Sequence, residues 1–254
     1  MGQLSVGGMS AQFRPVLALL TESGTYTVPY AGWYRITAIG HGAGGYGDDS
    51  APLSTPAPGG AGGGGYLDKY LPAGAVLTAT ISDMASTLSY GGSALISAAR
   101  GSGKTAGAVT GSGVVAFPSN GTETPDVTPP DGIYDASLRS VGGAAGLRDD
   151  EAVSAAGGAG LFGGDGGDGG YALSESGNTH TSNGRTGSRG AGSGANGNLY
   201  YVGSTKGYYS GAGGGGGYGG GGGKPTAVRN DAYYTGWLGA GSGGAGCVRI
   251  ERIR

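Results

Sequence analysis

Three stretches of the chain alternate apolar and polar residues with a period of two, and each predicts strands. In Gly24–Gly40 (GTYTVPYAGWYRITAIG), Thr25 to Val28 are strand formers, Pro29 to Gly32 make a turn, and Trp33 to Ile39 read as a second strand. Tyr34, Ile36 and Ala38 fall on one face of that strand, and Arg35 and Thr37 on the other. Tyr66–Ile81 predicts two strands about the turn Pro72-Ala73-Gly74. Cys247–Ile253 predicts a closing strand, with Val248 and Ile250 alternating with Arg249 and Glu251. Residues 118–132, rich in Pro, Gly, Asp and Thr, read as an exposed loop. No stretch of ten or more residues carries a helical period.

Glycine clusters separate these elements, at about 40–47, 59–65, 142–146, 157–170, 184–197, 211–223 and 239–246. Glycine supplies 64 of 254 residues, about a quarter against a usual ~7%. It has no side chain to bury and loses the most backbone entropy on folding, so something other than an apolar core must stabilise it. The spacing inside the clusters suggests what. In residues 162–171 the non-glycine positions Phe162, Asp165, Asp168 and Tyr171 recur every third residue. Ala212, Tyr218 and Lys224 share a phase in a later cluster, as do Ser242, Ala245 and Val248 in the last; residues 59–66 hold it less cleanly. Three residues per turn is the repeat of the polyproline-II conformation, which makes no internal hydrogen bonds. Helices of that kind with glycine on two faces can approach closely and bond to one another. Gly163, Gly164, Gly166, Gly167, Gly169, Gly170, Gly214, Gly216, Gly219 and Gly220 are the expected structural glycines. The fold class expected is mainly β and irregular: a β-strand frame around a packed layer of polyglycine-II helices, with almost no α-helix. Residues 1–20 are expected as a leader or attachment segment, and 21–254 as the glycine-rich domain.

The segments GTYTVPYAGWYRITAIGHGAGGYG, GGAGGGGYLDKYLPAGAVLTATI and GGAGCVRIERIR resemble the glycine-rich domain at the ends of phage and prophage tail fibres. In that class a strand pair runs into glycine-rich segments, and a strand after the last glycine run closes the domain. The resemblance covers roughly residues 21–254 and rests on patterns of residue type. It implies bundled polyglycine-II helices with loops at their tips that touch the host surface, as in the fibre-tip adhesins of T-even-like phages. It differs in that no large N-terminal attachment domain is evident.

Composition narrows the remaining classes. A formal charge of −2 supplies no basic face for nucleic acid. Disorder along the whole chain would go with high net charge, and sixteen Tyr and two Trp are many for a disordered chain. Collagen needs glycine at every third residue, which runs such as Gly213 to Gly217 break. The single Cys247 excludes a disulfide framework or a cysteine-rich metal site. No apolar run reaches the roughly 18 residues of a membrane span. Residues 13–20 (FRPVLALL) contain Arg14 and Pro15 and lack a cleavage site, so no export signal is expected. Release by lysis, or carriage on a particle, fits.

Candidate chemistry is thin. Ala98–Thr105 (AARGSGKT) fits a relaxed phosphate loop, but the TAGAVTGSG around and beyond it will not make the helix that such a loop needs. Gly163–Asp168 (GGDGGD) is half of a calcium-binding repeat in a single copy, which leaves Asp165 and Asp168 as a weak cation pair. His41 and His180 have no metal-spaced partner. Asp48-Asp49 and Asp149-Asp150-Glu151 read as solvated loop charge rather than a glycosidase pair. The expectation is therefore a non-enzyme with no cofactor and no metal.

Tyrosine carries the functional signal. Tyr200, Tyr201, Tyr208, Tyr209, Tyr233, Tyr234 and Trp237 lie in inserts between the late glycine clusters. Tyr and Trp give large contact area at low entropic cost; the alternative role is to cover the glycine layer. The reading is a tail-fibre or tail-tip protein of the virion that binds a host-surface receptor, protein or glycan. The competing reading is a capsid decoration or fibre connector without receptor binding. Other virion proteins are expected partners, homo-oligomerisation stays open, and neither nucleic acid nor membrane insertion is expected.

Overall fold

The computed structural model describes residues 16–45, 59–103, 105–117 and 240–253, together with 172–175, 178–181, 187, 192, 198–202, 205–209, 218–220, 222, 226–231 and 234–238. Among these residues there is no helix, and so none long and apolar enough to cross a membrane. The protein is mainly β.

Two five-stranded antiparallel sheets face each other. The first has the order β1 (Val16–Leu20), β16 (Cys247–Arg252), β3 (Gly32–Ile39), β4 (Gly64–Leu71), β9 (Val115–Ala116). The second has the order β2 (Gly24–Thr27), β5 (Val76–Ile81), β6 (Ala85–Tyr90), β7 (Ser93–Ala99), β8 (Val109–Thr110). The alternation in the sequence sets their inner faces. Tyr34, Ile36 and Ala38 of β3, with Val248 and Ile250 of β16, pack on Leu77, Leu88 and Ile96 of the second sheet, all buried. Each large side chain of this kind contributes about 1.5–3 kcal/mol when fully buried. The Tyr34 hydroxyl donates to the Tyr30 carbonyl at 2.6 Å, so its polar end is satisfied inside the core. Val16–Leu20, at the end of the segment expected as a leader or attachment segment, forms the edge strand β1, paired with β16.

Four strands share one exit from this sandwich. β3 and β7 run out at their C-terminal ends, and β4 and β16 enter there, so Gly40, Gly63, Arg100 and Gly246 lie together just beyond the last ladder rungs. The chain outside those rungs is glycine-rich, and its backbone bonds to itself. Gly40 and Ala43 donate to Gly63 and Gly60, while Gly42 and Gly45 donate to Gly244 and Gly241. Gly59 and Gly62 donate to Gly222 and Gly219. In each pair the donors are three residues apart, and all these bonds are 2.8–2.9 Å long. Residues 40–45 also accept from Gly101 at His41 and from Gly222 at Ala43. One segment therefore bonds to four neighbours. A β-strand alternates its bonds between two sides with a period of two and has two neighbours.

Glycine is required here by contact. A Cβ on Gly40, Gly42, Gly59, Gly60, Gly62, Gly63, Gly101, Gly107, Gly192, Gly222 or Gly243 would come within 3.0 Å of a backbone atom of a neighbouring segment. Side chains enter only at particular positions: Tyr218 is buried with Ile39, Ala61, Phe117 and Cys247 in a second small core where the glycine layer meets the first sheet. Of the structural glycines expected from the sequence, Gly219 and Gly220 take part in this network. Gly163, Gly164, Gly166, Gly167, Gly169, Gly170, Gly214 and Gly216 lie outside the described residues.

Candidate functional site

Three two-stranded hairpins occupy the stretches between the late glycine clusters: β10–β11 (Ala172–Glu175, Asn178–Thr181), β12–β13 (Asn198–Val202, Thr205–Tyr209) and β14–β15 (Thr226–Asp231, Tyr234–Leu238). The tyrosine-bearing inserts between the late glycine clusters thus contain hairpins. The β12–β13 hairpin has Gly203-Ser204 between its two strands in the sequence. Its register pairs Leu199 with Tyr208, Tyr200 with Gly207 and Tyr201 with Lys206. Cross-strand partners share a face and neighbours alternate, so positions 199, 201, 206 and 208 form one face. Tyr201 and Tyr208 are diagonal on it; Tyr200 and Tyr209 are diagonal on the other. In β14–β15 the register pairs Ala227 with Trp237 and Asp231 with Tyr234. Tyr233 lies outside the described residues. β10 lies beside β13, which brings two of the hairpins together.

The chain is fastened on both sides of these hairpins. Gly192, ahead of β12, lies so close to the Ser242 carbonyl that no Cβ would fit. Gly219 and Gly222, between the second and third hairpins, bond to Ala245 and Ala43. Residues 240–246 after β15 bond to 40–45. The tyrosine-bearing hairpins are strung between points held by the glycine network.

A second feature is a cavity of about 310 Å³ where this network meets the second sheet, lined by His41, Gly42, Gly44, Asp83, Arg100, Ser242 and Gly243. Burial holds the His41 imidazole below its ordinary pKa; Arg100 acts the same way, while Asp83 and the Ser82 carbonyl oppose. Asp83, Arg100 and Ser242 carry no sequence signal that would have grouped them with His41, because they come from three separate segments of the chain. His180, the other histidine, pairs in register with Leu173 in the first hairpin. Among the described residues no three His, Cys, Asp or Glu side chains group as metal ligands. Asp165, Asp168, Asp48-Asp49 and Asp149-Asp150-Glu151 lie outside the described residues.

The relaxed phosphate-loop match ends on a tight Ser102–Thr105 bridge followed by β8, with no helix behind it. Helix N-terminal amides for a phosphate are missing from that turn. No protein-family model matches the chain, and no curated protein matches it.

Proposed function

We propose that this chain is a non-enzymatic protein of a bacteriophage tail fibre or tail tip, which binds the host cell surface through loops carried by a stack of polyglycine-II helices. One observation carries the reading: hairpins bearing paired tyrosines are held between glycine segments that bond to one another through the backbone at every third residue. Three-residue spacing is what a helix of three residues per turn produces. A rigid scaffold presenting variable loops is the usual arrangement of a recognition surface. The site is the tyrosine set Tyr200, Tyr201, Tyr208 and Tyr209, with Tyr233, Tyr234 and Trp237 as the second group. The partner is a host-surface protein or glycan, and the protein acts on the virion, outside the host cell.

The test is adsorption of a phage that carries the chain. Tyr201→Ala with Tyr208→Ala removes both aromatics from one face of β12–β13 and is expected to abolish adsorption, with the virion intact and the chain still folded. Normal adsorption by that variant, and its loss on the corresponding change at Tyr233 and Tyr234, moves the site to β14–β15. Normal adsorption by both overturns receptor binding and leaves the structural virion role.

A further inference from the structure

The segment 40–45 offers its backbone amides in three rows, and two of them are taken. Gly40 and Ala43 donate to Gly63 and Gly60, and Gly42 and Gly45 donate to Gly244 and Gly241. The remaining row is His41 and Gly44, whose amides have no backbone acceptor among the described residues. Both residues line the cavity of about 310 Å³. The glycine network is thus left open on one side, and that side is the cavity. Backbone amides without an acceptor in the chain call for one from outside it.

The rest of the cavity is polar and held in place. Asp83, Arg100 and Ser242 are exposed there, and His41 is half-buried. Among the described residues neither the Asp83 carboxylate nor the Arg100 guanidinium takes part in a hydrogen bond or an ion pair. Their backbones are fixed all the same. The Arg100 amide donates to the Met84 carbonyl at 2.8 Å. The turn that carries Asp83 is closed by bonds between Ser82 and Ala85, from the Ser82 amide and hydroxyl to the Ala85 carbonyl and from the Ala85 amide to Ser82 Oγ. Groups positioned before a ligand arrives cost it less to order.

The lining selects the class of ligand. Among the described residues no aliphatic or aromatic side chain lines the cavity, so an apolar ligand would gain little there. One carboxylate and one guanidinium balance, and burial keeps His41 neutral near pH 7. A simple anion would face Asp83, and a simple cation would face Arg100. The polar groups also form an extended set, because donors three residues apart in a chain of three residues per turn stand about 9 Å apart. The two charged ends of a single amino acid do not reach that far. Hydroxyls spaced around a sugar ring do meet these demands, since each both donates and accepts.

We propose that the cavity between residues 40–45 and the Ser82–Met84 turn binds one or two units of a neutral saccharide. Its hydroxyl oxygens accept from the His41 and Gly44 amides and from Arg100, and its hydroxyls donate to Asp83. The site is separate from the tyrosine hairpins and does not depend on what particle carries the chain.

The experiment titrates the full chain, labelled with nitrogen-15, with D-glucose, D-galactose, N-acetyl-D-glucosamine and lactose, and follows the backbone amide resonances. At least one sugar is expected to shift the His41 and Gly44 amides saturably, with a Kd of about 0.1–10 mM. Arg100→Gln and Asp83→Asn alter exposed side chains and leave the backbone bonds intact; each is expected to weaken that binding about tenfold. Circular dichroism and the thermal midpoint confirm that each variant is folded, and the wild-type shifts locate the site without either. Failure of all four sugars to move these amides overturns the proposal. So does undiminished binding by both folded variants. Shifts produced equally by acetate or phosphate make the cavity an anion site, and shifts produced by free L-serine alone make it a zwitterion site; either result also overturns it. Sugar-induced shifts confined to β12–β13 or β14–β15 overturn the cavity and leave the hairpins as the receptor site.

Discussion

Gly62 offers the sharpest test of how the glycine network is held. A Cβ there would lie 2.8 Å from the His41 carbonyl oxygen and closer still to the Gly40 carbonyl, against 3.4 Å or more for ordinary contact. Both obstacles are backbone, so no side chain can swing aside. The segment 40–45 must move away from 59–63, and the bonds nearest the clash, Gly40 to Gly63 and Ala43 to Gly60, must lengthen or break. Each buried backbone group left without a partner costs about 1–3 kcal/mol. Alanine returns about 0.4–1 kcal/mol by restricting the unfolded chain. Gly62→Ala is therefore expected to destabilise by about 2–4 kcal/mol. For a chain of this size that is a fall in Tm of roughly 5–15 °C. Two controls use the same substitution. Gly24 has open space around it and no left-handed φ, so Gly24→Ala is expected to stabilise by about 0.4–1 kcal/mol. Gly74 has open space but a φ of +79°, so Gly74→Ala is expected to cost about 1 kcal/mol from strain alone. Urea unfolding followed by circular dichroism ranks the three. If Gly62→Ala unfolds within 0.5 kcal/mol of Gly24→Ala, close backbone packing is not what requires glycine at that position.

Two further expectations concern titratable groups. Cys247 is fully buried and burial pushes its thiol well above the ordinary range, against a smaller opposing effect of Arg249. Ellman's reagent is expected to be unreactive with the native chain at pH 8 and to titrate one thiol in denaturant; fast native reaction would contradict the burial. His41 has a folded-state pKa below its ordinary 6.5. The unfolded chain then binds more protons than the folded one as pH falls through 6.5, so the contribution of His41 to stability is complete above that pH and declines below it. Wild type should lose stability on acidification relative to His41→Gln, compared by urea midpoints between pH 7.5 and 5; parallel curves would refute this.

The sandwich was legible where side chains alternate strongly. Trp33 to Ile39, the two strands about Pro72-Ala73-Gly74 and the closing strand from Cys247 all occur, with Tyr34, Ile36, Ala38, Val248 and Ile250 inward as their spacing requires. The β6 and β7 strands show little alternation in the sequence. Their inward positions include Ser86 and Ala98 alongside Leu88 and Ile96, so small residues flatten the period-two contrast, although the Gly91-Gly92 turn between them is a plain hairpin signal. β1 was hidden for another reason: Val16–Leu20 is apolar on both faces and shows no alternation. Residues 59–63 break the three-residue phase in side chains because Ala61 interrupts it, yet their backbone bonds keep it. The Ala61 methyl packs into the second small core, which changes the letters and leaves the hydrogen bonds alone. The cavity around His41 was invisible because Asp83, Arg100 and Ser242 are assembled only by the fold.

The direct passage of β3, β4, β7 and β16 into the glycine segments has a mechanical consequence. The bonds in the sheets and in the network both lie across the direction in which these strands run. A pull along that direction loads them in shear, so many must yield together, whereas a sideways pull would open them one at a time. Because the load passes from ladder to glycine segment without a loop between them, the two parts share it as one body. This body therefore resists a pull best along the line in which those four strands run.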